Sequence, residues 1–136
     1  MSRSKLVVAI VDDEDTVRRA LERLFRSAGI ESEAFSGGAT FLDSLRSHRP
    51  DCVVLDLHMP EVTGFDVQAR LRELDLHIPV VVITGHDTPE SRGRVQELGA
   101  AAYLRKPVAA KALLEAIERA TGKRLDAVES GNGKHD

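Results

Sequence analysis

The chain has few of the features that mark secreted, membrane or nucleic-acid-binding proteins. It has one cysteine, Cys52, so it forms no internal disulfide, and an apolar run around a lone thiol is typical of a buried residue in a reducing compartment. No apolar run approaches the roughly 20 residues of a membrane span, and residues 1–5 do not resemble a signal peptide. The net charge is −3, whereas nucleic-acid-binding domains are usually basic along one face. We therefore expect a cytoplasmic protein that contacts neither a membrane nor nucleic acid directly.

The length and composition fit one globular domain with a short tail. With 136 residues, 42% hydrophobic and 30% charged, the chain is long enough to bury roughly two thirds of its unfolded surface. Helical periodicity ends near Gly122, and the residues that follow are polar and contain glycine. We predict a domain over residues 1–121 and a disordered tail over 122–136, which is either a natural end or a linker cut short.

Strand and helix patterns alternate along the whole chain and make five β-α units. Three short apolar runs, over 6–11, 52–55 and 80–83, predict buried strands, and a shorter run over 101–104 predicts another strand. Residues 30–35 alternate as an edge strand does. The intervening stretches have apolar residues at helical spacing, and Ala20 and Leu74 are among those expected to face the core. Thr88 and Pro89 predict the start of the fourth helix. Gly93 in its middle costs ~1 kcal/mol against alanine, so this helix is expected to be weak.

Polar side chains stand where four of the predicted strands end. Asp12 and Asp13 follow the first strand, Asp56 and Thr84 close two others, and Lys106 follows the last. If these strands are parallel neighbours, their carboxyl ends meet at the sheet edge where open α/β proteins place their sites. The sequence therefore predicts three carboxylates, a hydroxyl and an ammonium in one place.

Such a cluster of acids needs a cation, because like charges a few ångströms apart raise one another's pKa. Oxygen ligands suit Mg²⁺, with Mn²⁺ as an alternative. We predict Asp13 and Asp56 as direct ligands together with the backbone carbonyl of His58, and Asp12 as a ligand through water. Taken alone, Asp12 and Asp13 are equally compatible with capping the next helix.

The same residues suit phosphoryl transfer to a carboxylate. Asp56 can act as the nucleophile, since carboxylates form acyl phosphates, while Lys106 and Thr84 can bind phosphoryl oxygens. A cis bond between Lys106 and Pro107 would aim the ammonium inward. His58 and His86 each follow a site residue by two positions and could alter the rate at which water attacks the phosphoryl group.

These motifs resemble those of the response-regulator receiver domains of two-component signalling, over about Leu6 to Ala120. The matching residues are Val11-Asp12-Asp13, Leu55-Asp56, Met59-Pro60, Gly64, Ile83-Thr84-Gly85, Gly99-Ala100 and Lys106-Pro107. Phe35-Ser36, Phe41-Leu42 and Thr84-Gly85-His86 are closer to the FixJ-type branch, from which residues 88–93 depart. The resemblance implies a flavodoxin-like (βα)5 doubly wound sandwich with a five-stranded parallel sheet in the order 2-1-3-4-5.

The resemblance also implies roles and partners. Asp56 would be the phosphoacceptor, Asp12 and Asp13 the metal-binding pair, Lys106 a phosphate contact, and Thr84 with Tyr103 the switch residues. The partners would be a sensor histidine kinase or phosphotransfer protein, and an output protein or linked effector domain. A phosphorylation-dependent homodimer is a further expectation. The domain would not be an enzyme, beyond catalysing its own phosphorylation and dephosphorylation.

Three other functions compete with this interpretation. A phosphatase of the haloacid-dehalogenase type needs an acid two residues after its nucleophile, where this chain has His58. A flavodoxin-like cofactor binder needs a glycine-rich phosphate loop after the first strand, where Asp12 and Asp13 stand instead. An inactive receiver-like interaction module would be expected to lose some of the acids, and this chain retains all of them.

Overall fold

The computed structural model describes residues 5–125, in which five strands and five helices alternate. The strands are β1 (Val7–Val11), β2 (Glu31–Phe35), β3 (Cys52–Asp56), β4 (Val80–Thr84) and β5 (Ala102–Arg105). The helices are α1 (Asp15–Ser27), α2 (Gly38–Ser44), α3 (Gly64–Glu73), α4 (Pro89–Glu97) and α5 (Ala110–Thr121). These bounds confirm the predicted alternation of strands and helices.

All five strands pair in parallel, in the order β2-β1-β3-β4-β5. This is the predicted doubly wound, flavodoxin-like arrangement. Every residue of β3 and β4 is buried, because helices cover both faces of a parallel sheet. β2 is partly exposed along its length, as its predicted edge position requires.

The two faces of the sheet carry separate hydrophobic cores. On one face α1 and α5 pack on the strands, with Phe25 and Ile117 fully buried. On the other face α2, α3 and α4 contribute Phe41, Val67 and Val95. Cys52 lies in the first core at 0% exposure, which confirms the prediction of a buried core residue, and burial raises the pKa of its thiol to about 12.

Local capping signals set the helix boundaries. Thr63 and Asp66 form a reciprocal capping box at the start of α3. The Thr88 side chain accepts from Ser91 N at the start of α4, and Pro89 is the first helical residue, as predicted. Gly29 ends α1 with a φ of 76°, a left-handed conformation that glycine adopts without a steric cost.

Two residues predicted to face the core do not. Leu74 is 42% exposed, because α3 ends at this residue and the next one, Asp75, takes a φ of 57° that turns the chain away. Ala20 is also exposed. The buried face of α1 centres on Leu21 and Phe25, and Ala20 lies beside it rather than on it.

The packed part of the chain extends beyond Thr121. Leu125 is 5% exposed and belongs to the core under α1 and α5, and its N–H donates to Glu118 Oε2 over 2.6 Å. The domain boundary after residue 121 stays a prediction, and residues 126–136 of the predicted tail lie outside the described residues. Within residues 5–125, no helix has both the length and the apolar character that a membrane span requires.

Candidate functional site

Four adjacent strands deliver the predicted site residues to one edge of the sheet. Asp12 follows β1, Asp56 ends β3, Thr84 ends β4 and Lys106 follows β5. The strand register places Val11 beside Leu55, Asp56 beside Ile83, and Thr84 beside Arg105. The polar residues therefore form one row across the carboxyl ends of the strands, with Asp56 near its centre.

The three acids converge as predicted. One carboxylate oxygen from each of Asp12, Asp13 and Asp56 lies within 4.8 Å of the other two, and Asp12 and Asp56 are 0% and 4% exposed. Burial, followed by the charge of Asp12, raises the pKa of Asp56 from its ordinary value of 3.8 to about 6, although Lys106 opposes the shift. Asp12 Oδ1 also accepts from Glu14 N over 2.9 Å. The N-cap of α1 is Glu14, and its side chain makes no capping bond, so neither Asp12 nor Asp13 is the N-cap of this helix.

Lys106 is the counter-charge of the cluster. Its Nζ lies 2.9 Å from Asp12 Oδ2, 3.0 Å from Glu14 Oε1 and 3.5 Å from Asp56 Oδ1. Burial alone would lower the pKa of Lys106, but the close carboxylates of Asp12 and Glu14 raise it above its ordinary value. The Lys106–Pro107 bond is cis, which is the isomer considered from the sequence, and Lys106 N donates to Thr84 O over 2.8 Å. The ammonium therefore stays charged at the acids.

The two predicted switch residues have different surroundings. Thr84 is 1% exposed, and its Oγ1 accepts from His86 N over 3.0 Å. Tyr103 is half-buried, and its hydroxyl donates to Asp87 Oδ1 over 2.9 Å. Burial, followed by this bond to Asp87, raises the pKa of Tyr103. Both side chains thus bond to the loop between β4 and α4.

An open cavity of about 300 Å³ lies over the acids. Its lining residues are Asp13, Glu14, Asp56, His58, Gly85, His86 and Lys106. The imidazoles of His58 and His86 meet edge to face, with ring centroids 5.4 Å apart. Both histidines therefore border the space above Asp56, where the sequence placed them.

The acid cluster suits a hard divalent cation. The side-chain atoms that could ligate a metal ion are all carboxylate oxygens, the ligand type that Mg²⁺ prefers. Asp12 Oδ2 is buried and has no hydrogen bond of acceptable geometry, although the Lys106 ammonium lies 2.9 Å away. This oxygen keeps acceptor capacity, and one ammonium cannot neutralise three carboxylates. The residues present therefore fit a bound metal ion.

Two residues of the site were missed in the sequence. Glu14, directly after the predicted acid pair, contacts Lys106 from 92 residues away in the chain. Its position in the run of acids was a signal that could have been used. Arg18 donates to the carbonyl of Asp12 over 2.8 Å, and its helical spacing alone gave no sign of this contact.

Comparison with known proteins identifies the family. A family model described as a response regulator receiver domain matches residues 8–118. Nodulation protein W of Bradyrhizobium diazoefficiens is 38% identical over 118 residues, which cover 87% of this chain and 52% of that protein. The transcriptional regulatory protein FixJ of Azorhizobium caulinodans is 32% identical over 121 residues, which cover 89% of this chain and 57% of that protein.

A solved structure, of a response regulator receiver protein from Burkholderia phymatum, is 40% identical with a TM-score of 0.80. The alignment covers 90% of this chain and 99% of that one. Nodulation protein W and FixJ are longer than this chain, which spans about half of their length. The likeness to FixJ supports the FixJ-type branch, and the matches do not favour a phosphatase. With the strand order and the clustered acids, they show that the chain belongs to the response regulator receiver domains, the phosphoacceptor domains of two-component signalling.

Proposed function

We propose that Asp56 accepts a phosphoryl group from a phosphohistidine of a sensor kinase or phosphotransfer protein in the cytoplasm. A carboxylate oxygen of Asp56 attacks phosphorus, the phosphorus–nitrogen bond breaks, and the histidine nitrogen retains the electron pair. The observation that carries this proposal is the position of Asp56, which lines the cavity and has Lys106 and two further acids around it.

Asp13, Asp56 and the backbone carbonyl of His58 would hold Mg²⁺, or Mn²⁺, directly, and Asp12 would hold it through water. The ion would neutralise charge on the phosphoryl oxygens during transfer. It would also favour the ionised, nucleophilic form of Asp56, whose pKa is otherwise raised to about 6.

Lys106 and Thr84 bind the transferred group in this proposal. The ammonium is already 3.5 Å from Asp56 Oδ1, close enough to contact a free oxygen of a phosphoryl group whose phosphorus is bonded to that carboxylate. The Thr84 hydroxyl would exchange its bond from His86 N for one to a second phosphoryl oxygen. A phosphoryl group brings about −2 charge and three acceptor oxygens, enough to reorganise both side chains.

The output follows from the movement of Thr84. When its side chain turns toward the phosphoryl group, it vacates a space that Tyr103 can enter, and the surface of α4 and β5 changes. This is a shift between two populated states, limited by how differently the phosphoryl group contacts them. An output protein, a linked effector domain or a second copy of the chain would bind the changed surface.

Intact-mass analysis after incubation with Mg²⁺ and acetyl phosphate tests the acceptor. The parent should gain one phosphoryl group and Asp56→Asn none. Asp43→Asn, an exposed change on α2, is the matched control and should gain one group as the parent does. Equal gain by Asp56→Asn would contradict the assignment.

Sedimentation velocity tests the homodimer. The phosphorylated parent should sediment faster than the unmodified chain, and Asp56→Asn should not respond to acetyl phosphate. An unchanged sedimentation coefficient in a chain that mass analysis shows to be phosphorylated would exclude the dimer as the output.

A further inference from the structure

We propose that Asp87 is a positioning residue of the switch, whose carboxylate holds Tyr103 at the surface and so opposes phosphorylation. The inference rests on the proposed function of Thr84 and Tyr103 and adds a third residue to it. Asp87 lies three residues after Thr84, immediately before Thr88, the N-cap of α4.

The Asp87 carboxylate joins its own loop, between β4 and α4, to both α4 and β5. Asp87 Oδ1 accepts from the Tyr103 hydroxyl of β5 over 2.9 Å. Arg92 Nη2 of α4 lies 2.9 Å from Oδ1 and 2.8 Å from Oδ2, and Arg105 Nη1 at the end of β5 is 3.9 Å from Oδ2. The Asp87 side chain is 16% exposed, although its two arginine partners are 49% and 74% exposed.

The charges around Asp87 strengthen its bond to Tyr103. The Tyr103 hydroxyl, followed by Arg92, holds the pKa of Asp87 below its usual range, so the carboxylate is ionised at neutral pH. Hydrogen bonds to an ionised acceptor are stronger than neutral ones. The Arg92 guanidinium also lies 5.9 Å from the centroid of the Tyr103 ring, within the range of a cation–π contact. Arg92 therefore restrains both members of the pair.

The same loop connects this contact to the phosphorylation site. Thr84 Oγ1 accepts from His86 N, and Asp87 is the next residue. If Tyr103 enters the space that Thr84 vacates, its hydroxyl leaves the carboxylate, so the Asp87 bond is present in only one of the two states. A contact that forms in one state alone stabilises that state. The Asp87–Tyr103 bond therefore lowers the apparent affinity for a phosphoryl group or its analogue, which prefers the state without the bond.

The composition provides a direct probe of the contact. Tyr103 is the only tyrosine, and the chain has no tryptophan, so the intrinsic ultraviolet emission reports on this ring. A carboxylate that accepts a hydrogen bond from a phenol quenches its emission by taking the proton in the excited state. Loss of the Asp87 carboxylate should therefore increase the fluorescence emission of Tyr103.

The test compares the parent with Asp87→Ala and with Asp43→Ala, the same change on the exposed face of α2. The probes are Tyr103 emission and the affinity for BeF3⁻, a phosphoryl analogue, with saturating Mg²⁺ by calorimetry. Asp87→Ala should emit more strongly than the parent and bind BeF3⁻ about fivefold more tightly. This factor is near the lower end of the affinity changes that one site typically causes at another, because Asp87 lies near the surface. Asp43→Ala should match the parent in both.

A second variant guards against a change in folding. Tyr103→Phe removes the hydroxyl and keeps the ring, so it should also bind BeF3⁻ more tightly, and Asp87→Ala should add nothing in that background. A parent that binds BeF3⁻, with Asp87→Ala no tighter, overturns the role of Asp87 alone. A parent that takes up neither BeF3⁻ nor a phosphoryl group overturns the proposed function, and this inference with it.

Discussion

At the scale of single residues, the distribution of charge decides what Asp56 can do. Its carboxylate is nearly buried beside two other acids, and one ammonium, from Lys106, lies 3.5 Å away. In the absence of a divalent cation this environment disfavours the ionised form, as the pKa of about 6 expresses. The ionised form of Asp56, which would attack phosphorus in the proposed transfer, is therefore also the form that lowers the stability of the fold.

Asp56→Asn should stabilise the chain when divalent cations are removed. The folded state binds the Asp56 proton more tightly than the unfolded state, so the parent loses stability as pH rises from about 4 to about 6. At pH 7 the asparagine variant should be more stable by about 1–2 kcal/mol, allowing for screening by Lys106 and water. Near pH 4 the difference should shrink.

Urea unfolding with a chelator at pH 7 and pH 4 measures this difference. Saturating Mg²⁺ at pH 7 should stabilise the parent more than Asp56→Asn, since only the parent supplies the carboxylate. A stability difference that stays the same at both pH values would contradict the electrostatic cause.

At the scale of secondary-structure elements, α4 is the least firmly packed helix. It buries one residue, Val95, and polar contacts from α3 hold it from one side. Gln68 Nε2 donates to Val95 O over 3.3 Å, and Arg72 Nη1 donates to Glu97 O over 2.7 Å. Arg94 lies 4.2 Å from the Phe65 ring centroid. A helix held this way can shift without exposing much apolar surface.

Gly93→Ala should stabilise the chain. A Cβ at Gly93 would meet nothing within 4 Å, and alanine in a helix interior is favoured over glycine by about 0.5–1 kcal/mol. Urea unfolding should show a gain of this size. Gly37→Ala is the matched control, because its site is equally open but is the N-cap of α2, where alanine is disfavoured. Equal gains in unfolding free energy for both variants would show that the effect does not come from the preference for alanine inside a helix.

Gly64→Ala should have the opposite effect. A Cβ at the first residue of α3 would collide with the backbone oxygen of Asp56 and come 2.8 Å from Leu57 Cα. The backbone cannot yield without moving Asp56, the proposed phosphoacceptor, so we expect a loss of about 1–3 kcal/mol in unfolding free energy. Phosphorylation by acetyl phosphate should also slow. Wild-type stability and rate would show that α3 can move away freely.

At the scale of the whole molecule, the sequence predicted the strands and the residues at their ends better than it predicted contacts between distant side chains. The short apolar runs of β1, β3 and β4 identify fully covered strands, and a parallel sheet then brings Asp12, Asp56 and Thr84 together. Pairings between distant residues had no such signal. Tyr103 bonds to Asp87 across 16 residues, and Lys106 bonds to Glu14 across 92. Their partners depend on side-chain positions that no periodic pattern records.

Local periodicity also fails where a helix ends. Leu74 continues the apolar stripe of α3 but is exposed, because the chain turns at Asp75. Leu125 lies beyond the last periodic residue and is nevertheless buried. In both cases the course of the backbone after the helix, and not the stripe, decides whether the side chain reaches the core.

Leu125→Ala should therefore destabilise the domain, although the sequence places this residue in the tail. Removing a buried leucine side chain costs about 2–3 kcal/mol when the site collapses in part. Leu74→Ala, the same change at an exposed position, should cost less than about 1 kcal/mol. Thermal and urea unfolding of both variants measure the difference. Equal costs would mean that Leu125 contributes no packing.

The acid-rich mouth of the cavity has a kinetic consequence. Three carboxylates, from Asp13, Glu14 and Asp56, line the cavity together with one ammonium, from Lys106, and Asp12 lies buried against that ammonium. A phosphodonor arrives as an anion. Like charges slow its approach through the long-range field, before any contact forms. We expect an obligatory order of arrival, with the dication first and the donor second. The domain would then respond only when both are present, as a coincidence detector does.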